Sequence, residues 1–313
     1  MKTRRPRRSD QRLESRILNP RNRPANRAAT GRPSPPPSAG RDPAALRDGS
    51  PSRLSLGSGE PGGAGFEVLY GRNAVREALR AGRRRFRQVL IAEGIQKNDP
   101  VDDILQLARE RGLPVKTLRR EELDLVAGGS HQGVALEAKE YPYVDLQSVL
   151  DAAYQSSEPA LLLVLDLVQN PQNFGTLIRT AEAAGAQGII LQERRAAGVT
   201  PAVVQASSGA VEHMLVSQVT NLVQTIERLK NEGIWVFGLD AGPEATDYSQ
   251  VDLSVPLALV VGSEGTGLRR LVREQCDLLL RLPMRGRVDS LNAAVAGSIA
   301  LYAALERRLE IGE

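Results

Sequence analysis

Beyond Pro159 the chain alternates short, continuous apolar runs with segments whose apolar residues recur at helical spacing. Leu161 to Leu165, Gly188 to Leu191, Val216 to Val219, Ile234 to Leu239, Leu257 to Val261 and Leu278 to Leu282 read as strands. Phe174 to Ala184, Ala202 to Gly209 and Leu222 to Asn231 read as helices. Apolar runs without alternation belong to strands buried on both faces. The pattern therefore predicts a mostly parallel sheet covered by helices, a doubly wound α/β domain over residues 159–313.

Upstream the pattern is weaker but ordered. Asn73 can cap a helix running through Arg80, Phe86 to Ala92 reads as a strand, and Asp99-Pro100 opens a second helix that Gly112 can stop. Pro114 to Leu118 and Gly133 to Ala138 supply further strand-like runs, giving a small α/β module over residues 66–141. Residues 142–158 are assigned to a linker that holds a helix from Leu146 to Tyr154.

Residues 1–65 hold 10 of the 19 prolines, many Arg, Ser and Gly, and no aromatic residue. So little apolar surface does not offset the entropy of ordering, and a disordered Arg/Pro-rich tail is expected. Its Arg and Ser content is like that of an organellar targeting peptide, but Asp10, Glu14, Asp42, Asp48 and Glu60 argue against one. The net charge of +4 is unevenly divided: residues 1–66 carry 14 Lys and Arg against 5 Asp and Glu, leaving 27 against 32 for the rest. A basic tail can draw a protein to a polyanion through counterion release; a solubilising extension is the alternative. Within the first module Arg83, Arg84, Arg85 and Arg87 form a basic edge, with Lys116, Arg119 and Arg120 elsewhere. That edge reads either as a solvated face or as an RNA-facing patch.

The single cysteine, Cys276, excludes an internal disulfide framework and fits a reducing, cytoplasmic setting. His131 and His213 lie far apart and no CxxC or HxxxH spacing occurs, so no metal site is expected. No apolar run approaches the roughly 20 residues needed to span a bilayer, so no membrane role is expected.

Three segments carry candidate chemistry. In Asp166-Leu-Val-Gln-Asn170-Pro-Gln-Asn173-Phe-Gly175-Thr-Leu-Ile-Arg179, Asn170 before Pro171 fits a helix start, and Gly175 lets another backbone come close. Arg179, four residues on, would sit as a fixed cation beside that gap, or would pair with Glu182 while Asn173 caps the helix. Gly262-Ser-Glu264-Gly-Thr-Gly267 lacks both the GxGxxG order and a Walker GK[ST]. There Glu264 could orient a ligand or cap a neighbouring helix. Arg285-Gly-Arg287-Val-Asp-Ser290-Leu-Asn292 opens the final helix, with Ser290 the natural N-cap. That helix runs to about Arg307, and its small face of Ala293, Ala296, Gly297, Ala300 and Ala304 suits close packing in the core or across a dimer. Two of these loops follow apolar strands, and open α/β sheets bind ligands at strand carboxyl ends.

In spacing and order, DLVQNPQNFGTLIRTAEAAG, ALVVGSEGTGL and LPMRGRVDSLNAAVA resemble the three signature motifs of the SpoU/TrmH class of SPOUT RNA 2'-O-ribose methyltransferases. Tyr70-Gly-Arg-Asn-Ala-Val and His131-Gln-Gly-Val-Ala resemble the small, L30e-like substrate-binding domain of the 23S ribosomal RNA guanosine methyltransferase subgroup. The resemblance implies a deep trefoil knot in the C-terminal domain that forms an S-adenosylmethionine pocket. It implies that Gly262, Leu282 and Leu291 hold the cofactor largely through backbone groups, and that Asn173 and Arg179 face ribose and phosphate. Glu264, Ser290 and Asn292 would complete the catalytic pocket, and a homodimer would build the site jointly. The implied partner is RNA, foremost a guanosine of 23S ribosomal RNA, with transfer RNA the alternative substrate. A non-catalytic RNA-binding protein for ribosome assembly is a further alternative, weakened by the intact motif residues. The motifs hold no histidine, and a guanidinium stays protonated, so Arg179 is expected to stabilise a developing alkoxide rather than to act as base.

Overall fold

A computed structural model of the protein describes residues 65–96, 98–128, 130–194 and 196–312. The expected tail lies outside the described residues. Strands β1 (Phe66–Tyr70), β2 (Phe86–Ala92), β3 (Val115–Leu118) and β4 (Val134–Lys139) form a mixed sheet in the order β1-β4-β2-β3. Helices α1 (Arg72–Ala81) and α2 (Asp99–Glu110) cover one face, where Val75, Leu79 and Ile104 pack with Val89, Ile91 and Leu136. Helix α3 (Arg120–Ala127) covers the other through Leu123 and Ala127 against Leu90 and Ala135. The alternation of β2 between the two faces follows from the period of two along a strand.

Helix α1 opens at Arg72, two residues earlier than a cap at Asn73 would place it, with Gly71 at φ 95 as its N-cap. Asn73 is therefore inside the first turn and caps nothing. Only a residue free of a Cβ adopts that φ without strain, which explains why the start falls after Gly71.

The second sheet is parallel throughout. It joins β5 (Leu161–Asp166), β6 (Gly188–Gln192), β7 (Val216–Val219), β8 (Trp235–Leu239), β9 (Thr246–Asp247), β10 (Leu257–Gly262) and β11 (Leu278–Arg281) in the order β7-β6-β5-β10-β8-β11-β9. Every residue of β5 and β10 is buried, as their unbroken apolar character predicts. Helices α4 (Leu146–Gln155) and α7 (Leu222–Asn231) pack on one face against Leu162, Val164 and Val260. The other face is covered by α5 (Pro171–Ala183) and α9 (Ala293–Gly312), against Leu163, Leu165 and Val261. Two shorter helices, α6 (Pro201–Ala206) and α8 (Arg270–Gln275), complete the layers.

The small face of α9 turns inward. Gly297, Ala300 and Ala304 are buried, and a Cβ on Gly297 would overlap Leu177 of α5. The outward face instead carries Val295, Ile299 and Tyr302, which stay 39–46% exposed.

The basic edge of the first module divides: Arg85 and Arg87 are exposed, whereas Arg83 and Arg84 turn into the protein. Arg84 is buried and clasps Glu212, itself buried, in two hydrogen bonds of 3.0 and 2.6 Å, with a further bond to Glu67. Arg83 donates to the Met214 carbonyl and, at 3.1 Å, to the Tyr141 hydroxyl. Glu212 and Met214 belong to the segment between α6 and β7, so these arginines fasten the first sheet to the second. A second contact reinforces them: a Cβ on Gly209 would come within 2.6 Å of Glu77 Cβ on α1.

Among the described residues no helix is long and apolar enough to cross a membrane, and no three His, Cys, Asp or Glu side chains are grouped as metal ligands.

Candidate active site

The parallel sheet reverses its winding between β5 and β10, and ligand crevices form outside the strand carboxyl ends at such a point. Here β10 runs alongside β5 in a register that sets Gly262 opposite Asp166. The chain then doubles back, so that the Ser263 and Gly267 backbones bond to each other at 3.2 and 3.0 Å. Gly262 must be glycine: a Cβ there would overlap the Gly267 backbone. Asp166, fully buried, holds the returning strand of this loop. Its oxygens accept from the Arg269 backbone N–H at 2.8 Å and from the Arg269 guanidinium at 2.7 Å.

A cavity of about 570 Å³ opens beneath this loop, a size typical of small-molecule sites, roughly 300–1,000 Å³. Gly262, Leu282 and Leu291 all line it, as do Glu264, Ser290 and Asn292. Sequence reasoning missed part of the wall: Leu239 at the end of β8, the loop Asp240-Ala241-Gly242 after it, and Met284. The strand-end rule that drew attention to β10 and β11 applies equally to β8 and would have found the first two of these.

At the rim three side chains from separate segments close a triangle. Asn292 Nδ2 donates to Glu264 Oε1 at 2.6 Å and to Asn173 Oδ1 at 3.2 Å, and Asn173 Nδ2 donates to the same Glu264 oxygen. Glu264 therefore caps no helix. Asn170 caps α5, accepting from the Gln172 and Asn173 backbones at 2.8 and 3.4 Å, which frees the Asn173 side chain for the triangle. The N-cap of α9 is Asn292, whose Oδ1 accepts from Ala294 and Val295 at 2.9 and 3.2 Å. Ser290, the expected cap, lies two residues too early, exposed on the cavity wall.

Arg179 is not brought to this cavity within the chain. Six residues beyond Asn173 on α5, and so on another face of the helix, it is exposed and donates to Ser208 Oγ at 3.1 Å, with no bond to Glu182. Gly175 does admit a close backbone approach: its missing Cβ leaves room for Ala206 and the Ser207 nitrogen, 2.8 Å from where that atom would sit. The gap beside Arg179 is thus occupied by the end of α6. The guanidinium lines a separate groove with Asn73, Arg76, Ser208 and His213.

Comparison with known proteins bears on both parts of the chain. A family model described as the SpoU rRNA methylase family matches residues 160–302, and one described as RNA 2'-O ribose methyltransferase substrate binding matches residues 68–144. The chain is 41% identical over 247 residues to YacO of Bacillus subtilis, assigned to the TrmH family of tRNA/rRNA methyltransferases. That match covers 79% of this chain and 98% of the relative. Among solved structures, the SpoU methyltransferase AviRb from Streptomyces viridochromogenes in complex with AdoMet aligns with a TM-score of 0.65 at 26% identity, over 79% of this chain and 92% of that one. An AdoMet-bound rRNA methyltransferase from Sinorhizobium meliloti aligns with a TM-score of 0.63 at 26% identity, over 77% and 87%. With a glycine-lined cavity at the switch point, both family models matched and a relative aligned over nearly its whole length, the chain belongs to the SpoU/TrmH family of RNA 2'-O-methyltransferases, with S-adenosylmethionine as methyl donor.

Proposed function

We propose that the protein methylates the ribose 2'-hydroxyl of a guanosine in 23S ribosomal RNA, with residues 66–141 as the RNA-binding module and residues 159–313 as a knotted catalytic domain. The observation that carries the catalytic reading is the Asn173–Glu264–Asn292 triangle at the mouth of the cavity lined by Gly262, Leu282 and Leu291. The cavity suits S-adenosylmethionine: backbone is exposed where Gly262 has no Cβ, and Leu239, Leu280 and Leu282 give it an apolar wall. When bound, the cofactor supplies an electrophilic methyl group to an attacking oxygen.

The chain's own residues then have separable tasks. Asn173 and Glu264, tied together, orient the ribose, while Ser290 and Asn292 close the rim. Arg179 contacts the phosphate and stabilises the attacking oxygen as its proton passes to solvent water at the open mouth of the cavity; a preorganised cation aimed at the developing charge needs no reorganisation at the moment of reaction. Arg179 faces away from its own cavity, so we assign it to the cavity of a second copy. The exposed apolar face Val295, Ile299 and Tyr302 on α9 is the surface we assign to that homodimer. A ribosomal substrate is favoured by the clasp that holds the first module rigidly against the catalytic domain, and by the solved rRNA methyltransferase that aligns with both parts. The cytoplasm is the compartment in which such RNA is met.

The test combines cells and enzyme. Mapping of 2'-O-methyl groups in RNA from cells lacking the protein should show one guanosine of 23S ribosomal RNA unmethylated; loss confined to transfer RNA would replace the substrate. Under single turnover with S-adenosylmethionine bound, Arg179→Ala should slow methyl transfer by about 10²-fold or more. An unchanged rate would remove Arg179 from the chemistry.

A further inference from the structure

The two segments Tyr70-Gly71-Arg72 and His131-Gln132-Gly133 meet at a place the catalytic reading does not use. The Arg72 backbone N–H donates to Gln132 Oε1 at 3.1 Å, and Arg72 Nε donates to the Gln132 carbonyl at 3.0 Å. Beside them, at the carboxyl end of β2, lies an open cleft of about 610 Å³ to which Glu93, Gly94, Gln96 and Arg120 also contribute. This volume is within the usual range for a small-molecule site, roughly 300–1,000 Å³.

The cleft is held in shape. His131, 1% exposed, lies under it: Nδ1 accepts the Gly133 N–H at 2.8 Å, so Nε2 carries the proton and donates to Asp124, also at 2.8 Å. Gln132 is kept at φ 55, a left-handed conformation that a residue with a Cβ adopts only when its surroundings enforce it.

Its charges are also uncommitted, unlike those of the arginines along α1 and at the start of β2 that face a partner. Arg76, Arg80, Arg83, Arg84 and Arg87 are all paired. Among the described residues neither Glu93 nor Arg120 forms a hydrogen bond or ion pair through its side chain, and Arg72 keeps its two Nη groups free. The cleft thus offers two cations at its rim, one carboxylate, and an apolar surface on half-buried Ile95.

Building on the reading of the chain as an RNA methyltransferase, we infer that this cleft is a subsite for one unstacked guanine nucleotide of the RNA substrate. Glu93 reads the base, and Arg72 and Arg120 hold its flanking phosphates. An ionised carboxylate only accepts hydrogen bonds. Of the four RNA bases, guanine alone presents two adjacent donors, N1–H and the 2-amino group, on its Watson–Crick edge. Adenine and cytosine set an acceptor beside their amino group, and uracil has one N–H between two carbonyls. Proteins read RNA sequence mainly on such splayed-out bases, while arginines hold the backbone. Helix α1 begins at this cleft with Arg72 and reaches the Arg179 groove with Arg76, and the Arg84–Glu212 clasp fixes it against the catalytic domain. The subsite therefore sets the spacing between a recognised guanine and the methylated ribose.

The experiment uses the full chain saturated with S-adenosylhomocysteine, titrated with GMP, IMP, AMP, CMP and UMP while backbone amide resonances are followed. GMP should shift the amides of Gly94 and Gln132, IMP, which lacks the 2-amino group, should bind about tenfold more weakly, and the other three should leave those amides in place. Glu93→Gln should erase the GMP over IMP preference, and Arg120→Ala should weaken GMP and IMP alike. With ribosomal RNA as substrate, Glu93→Gln should raise KM about tenfold while kcat stays within about twofold. Cleft amides that GMP leaves unmoved, or that AMP moves equally, overturn the inference. Methyl incorporation by the unaltered chain is measured in parallel: its absence defeats the methyltransferase reading, whereas its presence with silent cleft amides defeats the subsite alone.

Discussion

Replacing Arg84 by methionine tests whether the clasp joins the two sheets into one cooperative body. The substitution keeps most of the side-chain volume and removes the charge. It deletes two hydrogen bonds to Glu212, one to Glu67 and one of 3.2 Å to the Lys139 carbonyl. Both Arg84 and Glu212 side chains are 0% exposed, so the stranded Glu212 carboxylate has no route to water. Removing one partner of a buried pair costs about 3–5 kcal/mol, most of it the penalty on the charge left behind. The companion variant Glu212→Leu, combined with Arg84→Met, removes both charges and should recover most of that loss, giving a coupling well above the few tenths of a kcal/mol seen for independent sites. Urea unfolding followed by circular dichroism and by Trp235 fluorescence reads the result. The unaltered chain should unfold in one transition. Arg84→Met should move the midpoint down or split off an earlier transition of the first module, while S-adenosylmethionine affinity holds. A midpoint shift worth less than about 1 kcal/mol would refute the assignment of the pair as the clasp.

Three further outcomes follow from single sites. Gly262→Ala drives a Cβ into the Gly267 backbone, which cannot yield as a side chain can; a strain of about 1–3 kcal/mol should weaken S-adenosylmethionine binding by roughly tenfold or more in calorimetry. Burial pushes the Cys276 thiol up to about 12, so it should resist a thiol reagent at pH 8 in the folded chain and react fully in urea. Burial also raises the Glu67 carboxyl above its ordinary value, against the pull of Arg84. The folded chain then holds that proton more tightly than the unfolded one, so the contribution is full below the unfolded value of 4.5 and is lost as pH rises through the folded value. Glu67→Gln should flatten stability across that window, and a profile identical to that of the unaltered chain would discount the shift.

What the sequence disclosed divides along physical lines. Strands β5 and β10 were legible because burial on both faces leaves an unbroken apolar run that no surface element imitates. The two-residue β9 carries no period to detect; β1 is mostly half-buried and interrupted by Glu67, so it has no unbroken apolar run, and α3 spans only about two turns. That Arg84, alone in a basic run open to either a solvated or an RNA-facing reading, would be buried was not visible, because charge alone does not reveal a partner; Glu212 lies 128 residues away in sequence, and only the fold brings it to Arg84. Ser290 and Asn292 are both good capping residues, and the choice between them depends on where the preceding loop releases the chain, which is not a local property. The glycine loop and its acid were recognisable from composition and order. That Glu264 would be met by two asparagines from other segments was not, since each bond of the triangle spans a large sequence separation.

Asn292 gives the site a fixed direction. Its amide oxygen is taken by the first turn of α9, so its amide nitrogen has to point at Glu264 and Asn173. A side chain differing by one heavy atom therefore separates two tasks that one residue now performs. Aspartate at position 292 would cap the start of the helix as well as asparagine does, but it would confront Glu264 with an acceptor in place of a donor. The helix would stand while the mouth of the pocket was forced apart, so the geometry of methyl transfer can be spoiled with no loss of fold.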